Sequence, residues 1–148
     1  MSLKERIAAD LRDALRAGEK TRLSAVRMLQ AAITEREKSG AGPLTEEDYL
    51  AVVQKQAKQR RDAAEQFRAA GRTDLAEREE AELAVVEGYL PAQLPDEEVE
   101  RVVREVVERT GATSMKDMGR VMGEAMGALR GQADGRRVQA VVRALLQG

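Results

Sequence analysis

Lys116, Arg120, Arg130, Arg136, Arg137 and Arg143 share one stretch of chain with glycines at 119, 123, 127, 131 and 135, each four residues from the next. Lys and Arg meet phosphate oxygens with an affinity that depends on salt and not on base sequence. Glycine has no Cβ and lets another backbone come close. Together the two residue types point to recognition of a polyanionic backbone by charge and shape. Two plainer readings stand beside that one. The cations serve as ordinary solubilising charge, and Gly119, Gly123 and Gly127, which fall in one stripe of a helix, seat a second helix; packing is the leading reading of the stripe. Met115, Met118, Met122 and Met126 crowd the same segment and read as fillers of an irregular core, with an adaptable partner groove as the alternative.

Other chemistry is excluded by residue type. The 148 residues include no His, no Cys and no Trp. A Ser-His-Asp triad, an imidazole base, a thiol nucleophile and a Cys/His zinc site are therefore impossible within this chain. A metal held by carboxylates alone needs a focused acidic cluster. Glu77, Glu79, Glu80 and Glu82 instead spread around a helix beside Arg72 and Arg78 and read as a solvated face. No GxxxxGK[ST] loop occurs, so that phosphate cradle is absent. Tyr49, Phe67 and Tyr89 are the whole aromatic complement, too few for a base-stacking platform. No catalytic residue, metal or cofactor is assigned.

Net charge is −1, so nucleic-acid binding must come from local asymmetry. Residues 91–110 carry Arg101, Arg104 and Arg109 against Asp96, Glu97, Glu98, Glu100, Glu105 and Glu108. Residues 111–148 reverse the balance, with the six cations above against Asp117, Glu124 and Asp134. A second basic cluster, Lys55, Lys58, Arg60 and Arg61, falls on a long helix. The first residues, interrupted by Lys4, Glu5 and Arg6, hold no signal-like apolar run, and no stretch of about 18 apolar residues occurs. The expectation is a cytoplasmic protein without a membrane contact.

The elements that must position these groups are helical throughout. Ser2 and Glu5 form a capping box ahead of Leu3, Ile7, Leu11 and Leu15, and Gly18 stops that helix. A second helix runs from about Lys20 to Lys38 with Leu23, Val26, Leu29 and Ile33 inward. Ser39-Gly40-Ala41-Gly42-Pro43 is a turn. Thr45 caps a third helix that Gly71 closes, and Thr73 or Asp74 starts a fourth with Leu75, Leu83, Val86 and Leu90. Pro91 and Pro95 stop any helix passing through residues 89–95. Three short helices follow: Asp96 to Arg109, Ser114 to Ala128, and Asp134 to Gln147. The first of these is rich in Val, but apolar pairs at 102/103 and 106/107 fix a helical and not a strand period. The fold class is all-α, with an N-terminal helical hairpin-type domain over residues 1–90 and a three-helix domain over 91–148.

Specific strings then matter: MSLKERI, LSAVRMLQAAI, KQAKQRRDAAEQF, AGRTDLAEREEAELAVVEGYLPAQL and GATSMKDMGRVMGEAMGALRGQADGRRVQAVVRALL. In order and over nearly the whole chain, they resemble the YqeY-like proteins of the GatB/YqeY family. The resemblance implies a C-terminal domain similar to the tail of the tRNA-dependent amidotransferase B subunit, a tail that contacts tRNA and performs no chemistry. The motif falls on Lys116, Asp117, Met118, Gly119, Val121, Met122 and Gly123, then Gly131, Ala133, Asp134 and Gly135. The family commonly reads Pro-Lys-x-Lys-Gly-Lys-Ala-Asp-Gly in this region. Ala128 and Gln132 stand where two of those lysines are expected, which implies weaker phosphate binding with a flatter salt dependence. The family label also carries a carbon–nitrogen ligase activity with glutamine as amido-N-donor, but the ATP-using and glutaminase parts are missing from this chain.

The functional expectation is a tRNA-binding accessory module without catalysis. Lys116, Arg120, Arg130, Arg136, Arg137 and Arg143 would contact phosphate, and Gly119, Gly123, Gly131 and Gly135 would allow close approach. The rivals are an adaptor for an aminoacyl-tRNA synthetase or amidotransferase, and a component of a glutamine-dependent amidotransferase.

Overall fold

A computed structural model describes residues 1–40 and 42–147; Ala41, at the centre of the expected turn, lies outside them. The regular elements are α1 (Leu3–Ala17), α2 (Lys20–Lys38), α3 (Glu46–Ala69), α4 (Thr73–Glu87), α5 (Asp96–Thr110), α6 (Met118–Leu129) and α7 (Gly135–Gln147), with a 3-10 turn, Met115–Asp117, before α6. The chain is all-α, and among the described residues no helix is long and apolar enough to cross a membrane. It divides into two compact units, Met1–Leu90 and Pro91–Gly148.

In the first unit, Ser2 Oγ accepts the Glu5 N–H and the Glu5 carboxylate accepts the Ser2 N–H, closing the capping box. Gly18 ends α1 at φ +69°, a left-handed position that a Cβ would penalise. Ile7 is buried, and Leu3 and Leu11 pack against the same core. Leu15 corrects the expected face: it is 58% exposed, and Ala14 is buried in its place. A spacing of four advances about 40° per step around a helix, so three steps carry Leu15 about 120° away from Leu3. Thr45 and Asp48 form a second capping box at the start of α3. The core joins Ile7, Ala25, Val26, Leu29, Ile33, Val53, Ala57, Val86 and Tyr89. α3 and α4 form a hairpin sealed by Ala64 and Ala76, with Arg68 paired to Glu80 at 2.7 Å.

The basic cluster expected on α3 does not form a free surface patch. Arg60 is 3% exposed. Its Nη1 donates to the Gln56 carbonyl (3.2 Å) and to Gln56 Oε1 (2.9 Å), and its Nη2 donates to Met28 Sδ (2.7 Å). Its Nε lies 3.9 Å from Glu82 Oε2, whose other oxygen accepts from Ser24 Oγ at 2.7 Å. Lys58 pairs with Asp62 and Arg61 with Glu87, each at 3.5 Å. Glu80 and Glu82 therefore belong to interhelical pairs and not to a purely solvated face.

Tyr89 closes the first unit. It is 7% exposed, and its hydroxyl donates to Asp10 Oδ2 at 2.5 Å. Arg22 sits 3.4 Å from Asp10. Arg6 lies 4.6 Å above the Tyr89 ring and donates to the Gly88 carbonyl at 2.8 Å. Burial first, and then the Asp10 carboxylate, push the phenol above its ordinary range.

The second unit packs three helices. Val99, Val103 and Val106 of α5 meet Val121, Ala125 and Leu129 of α6 and Val138, Val142 and Leu146 of α7. Met118, Met122 and Met126 pack at the margin of this core, as expected of fillers, whereas Met115 is 38% exposed. The outer face of α5 is a ladder of ion pairs: Arg101 with Glu98 (2.9 Å) and Glu105 (2.8 Å), and Arg104 with Glu100 (2.7 Å).

Candidate nucleic-acid interface

The basic segment begins at a cap. Ser114 Oγ accepts the Lys116 N–H at 3.3 Å, and Asp117 Oδ2 accepts the Thr113 and Ser114 N–H groups at 3.0 and 3.4 Å. The helix expected from Ser114 therefore opens as a 3-10 turn, and α6 proper starts at Met118. The Thr113 N–H holds the Asp117 carboxyl below its ordinary range, against a smaller opposing effect of burial. Arg120 Nη2 lies 3.2 Å from Asp117 Oδ1. Lys116 is exposed and has no ion pair among the described residues.

Along α6, Val121, Ala125 and Leu129 face the core. Gly119, Gly123 and Gly127 are exposed, and a Cβ built on any of them would meet no atom within 4 Å. This overturns the leading reading of the stripe, because no helix of the unit packs against it. Each interior glycine disfavours the helix by about 1 kcal/mol relative to Ala, and no packing inside the unit returns that energy.

α6 ends at Arg130, the one non-glycine residue with positive φ among the described residues (φ 46°, ψ 49°). Arg130 is exposed and has no ion pair among the described residues. Gly131 follows at φ +82° and is buried. Asp134 Oδ1 then accepts the N–H groups of Arg136 (2.9 Å) and Arg137 (3.1 Å), which starts α7. Gly135 opens that helix and faces open space. Arg136 and Arg143 are both exposed; seven residues apart, they share one face about 10 Å along the axis. Arg143 has no ion pair among the described residues. Arg137 is partly buried and already engaged. Its Nη2 donates to the Leu94 carbonyl at 2.5 Å, and its Nε lies 3.0 Å from Asp96.

The exposed cations do not converge on a point. Lys116 and Arg130 stand at opposite ends of α6, about 20 Å apart by helical rise, with the glycine face between them. Such spacing suits an extended polyanion and not a single phosphate. Among the described residues no group of three carboxylates could hold a metal ion. A shallow depression on the outer face of α2, lined by Arg27, Gln30, Ala31, Thr34, Glu35 and Lys38, offers one carboxylate and no partner for acid–base work.

The family model for Yqey-like proteins matches residues 4–146. The chain belongs to the YqeY-like family. Over 131 residues this YqeY-like chain is 33% identical to Altered inheritance of mitochondria protein 41, mitochondrial, of Pyrenophora tritici-repentis, spanning 86% of this chain and 71% of that one. It is 35% identical over 85 residues to protein C22F3.15 of Schizosaccharomyces pombe, covering 57% of this chain and 69% of that one. It is also 47% identical over 58 residues to a glutamyl-tRNA(Gln) amidotransferase subunit of Thermococcus gammatolerans, a match to 36% of this chain and 9% of that much longer protein.

Two residues of the YqeY-like tail carry no sequence signal of their role. Gln93 Nε2 donates to the Gly131 carbonyl at 2.9 Å, and the Leu94 N–H donates to the Gln132 carbonyl at 2.8 Å. Nothing in their types or spacing marks a pair that reaches nearly forty residues along the chain.

Proposed function

We propose that this protein is a non-catalytic accessory module that binds tRNA through the phosphate backbone. The open glycine face of α6, set between cations that have no ion pair among the described residues, carries the reading. A backbone approaching Gly119, Gly123 and Gly127 meets no Cβ at those three positions, while Lys116 and Arg130 at the two ends and Arg143 on α7 supply positive charge. Arg120 and Arg136 add to it by exchanging their present partners for phosphate. The similarity to a protein whose name includes glutamyl-tRNA(Gln) amidotransferase supports an RNA of that class. The same similarity favours, as a second reading, assembly with an amidotransferase or an aminoacyl-tRNA synthetase. A cytoplasmic site of action stands as a proposal beside a relative whose name is mitochondrial.

The test is a titration of labelled tRNA at about 50 and 200 mM salt. The contacts of Lys116, Arg130 and Arg143 alone predict a loss of affinity of roughly 20- to 40-fold between the two, and contacts by Arg120 and Arg136 make the loss larger. Arg130→Glu combined with Arg143→Glu should abolish binding. No binding at low salt, or binding indifferent to both substitutions, refutes the proposal. Recovery of a protein partner after nuclease treatment would favour the adaptor reading instead.

A further inference from the structure

We infer that Gln93 and Arg137 are positioning residues for Arg130: they strap the turn Arg130–Gln132 and thereby fix where the Arg130 guanidinium meets a phosphate. The inference rests on the proposed tRNA contact and specifies how that contact is organised.

The starting observation is a strained backbone. Arg130 adopts the left-handed conformation usual for glycine at a helix end, although Gly131 stands next to it and is left-handed as well. A residue with a Cβ persists there only when its surroundings over-determine it. The surroundings are specific. The Arg130 N–H donates to the Met126 carbonyl at 3.1 Å and the Gln132 N–H to the Leu129 carbonyl at 2.9 Å, which tie the turn to α6. The next two carbonyls, of Gly131 and Gln132, accept from Gln93 Nε2 and from the Leu94 N–H. Leu94 is itself anchored, because its carbonyl accepts from Arg137 Nη2. A continuous path of hydrogen bonds therefore runs from α7 through Leu94 to the turn that bears Arg130.

The same path removes Arg137 from the set of direct phosphate contacts. Its guanidinium is directed at Leu94, lies beside Asp96 at 3.0 Å and is only 30% exposed. A phosphate could recruit it only by breaking the strap. Arg137 thus acts on RNA through Arg130, and Gln93, a neutral residue, acts in the same way without adding charge.

This distinction is measurable in the full chain by double-mutant cycles on tRNA affinity at low salt. Gln93→Ala and Arg137→Gln should each weaken binding several-fold. Neither should weaken it further once Arg130→Gln is present, whereas each should multiply the loss caused by Arg143→Gln. Amide hydrogen exchange without RNA supplies an independent readout: the Gln132 N–H should exchange at least several-fold faster in Gln93→Ala and in Arg137→Gln, with the helical circular dichroism unchanged. Losses from Arg137→Gln that multiply with those of Arg130→Gln, or an unchanged Gln132 exchange rate, overturn the inference. If the parent chain binds no tRNA, the proposed function falls and the positioning role falls with it, while hydrogen exchange still reports whether the strap holds the turn.

Discussion

Arg60 occupies a helical position that Val53, Ala57 and Ala64 mark as core, because all four fall on one stripe of α3. Its charge is matched by Glu82 and its Nη1 by Gln56, but Nε has no hydrogen-bond partner. Removing one member of a buried ion pair strands the other, at about 3–5 kcal/mol. Arg60→Ala should therefore lower the unfolding free energy of the first unit by about 3 kcal/mol in urea titration. Arg60→Met with Glu82→Leu should restore most of that loss; a double variant as weak as the single one contradicts the account. Tyr89 gives a second prediction, in pH. A tyrosine is neutral while protonated, and here the folded state holds that proton more tightly than the unfolded chain. The stabilisation is complete below the unfolded value of about 10 and drains away as pH climbs towards the raised folded value. Chemical denaturation above pH 10 should show the parent chain losing stability faster than Tyr89→Phe, and parallel declines would exclude a role for this proton. At this scale the sequence is readable where period and residue type agree, as at Val26, Leu29 and Ile33. Arg60 reads as surface by its charge, and only its place on the apolar stripe signals otherwise. The role of Arg137 has no local signal, because its partner Leu94 comes from another part of the chain.

The helices and their caps are legible because each depends on residues within one turn of itself. The Ser2, Thr45 and Ser114 caps, the stop at Gly18 and the helical period of the Val-rich α5 are all local. The fate of the glycines in α6 is not, since spacing shows that a stripe exists and never what lies opposite it. With nothing within 4 Å of Gly119, Gly123 or Gly127, Ala substitutions meet no steric resistance. Each should stabilise the helix by about 1 kcal/mol, so the triple variant should melt higher. The same methyl groups would stand between the helix and an approaching backbone, so tRNA affinity should fall in that variant. Paired melting and binding measurements test both halves. Weaker folding would mean that the face is already occupied, and unchanged affinity would mean that the RNA lies elsewhere.

At the scale of the molecule, two cores of different make-up hold the chain, one built on Leu29, Val53 and Val86 and the other on the valines of α5, α6 and α7. Leu29→Ala and Val103→Ala each open a cavity, at about 2–5 kcal/mol for the larger deletion. If the two units melt independently, calorimetry should resolve two transitions, with Leu29→Ala lowering one and Val103→Ala the other. A single transition moved by both substitutions would show that they unfold as one. Charge behaves differently in the two halves of the tail. The ladder on α5 pairs Arg101 and Arg104 within one helix and Arg109 pairs with Glu124 of α6 at 3.1 Å, whereas Lys116, Arg130 and Arg143 have no ion pair among the described residues. Composition sets the total charge; pairing decides how much of it a polyanion can feel.

The methionines of the tail have a further consequence. The chain has no cysteine and six methionines, and four of those six lie between Met115 and Met126, with Met118, Met122 and Met126 lodged at the margin of the tail core. Sulfoxide formation turns an apolar thioether into a polar group that such a margin cannot keep. Oxidation of Met118, Met122 or Met126 would therefore loosen the seat of the helix that carries the glycine face, while Met1, Met28 and Met115, the exposed methionines, would meet peroxide first.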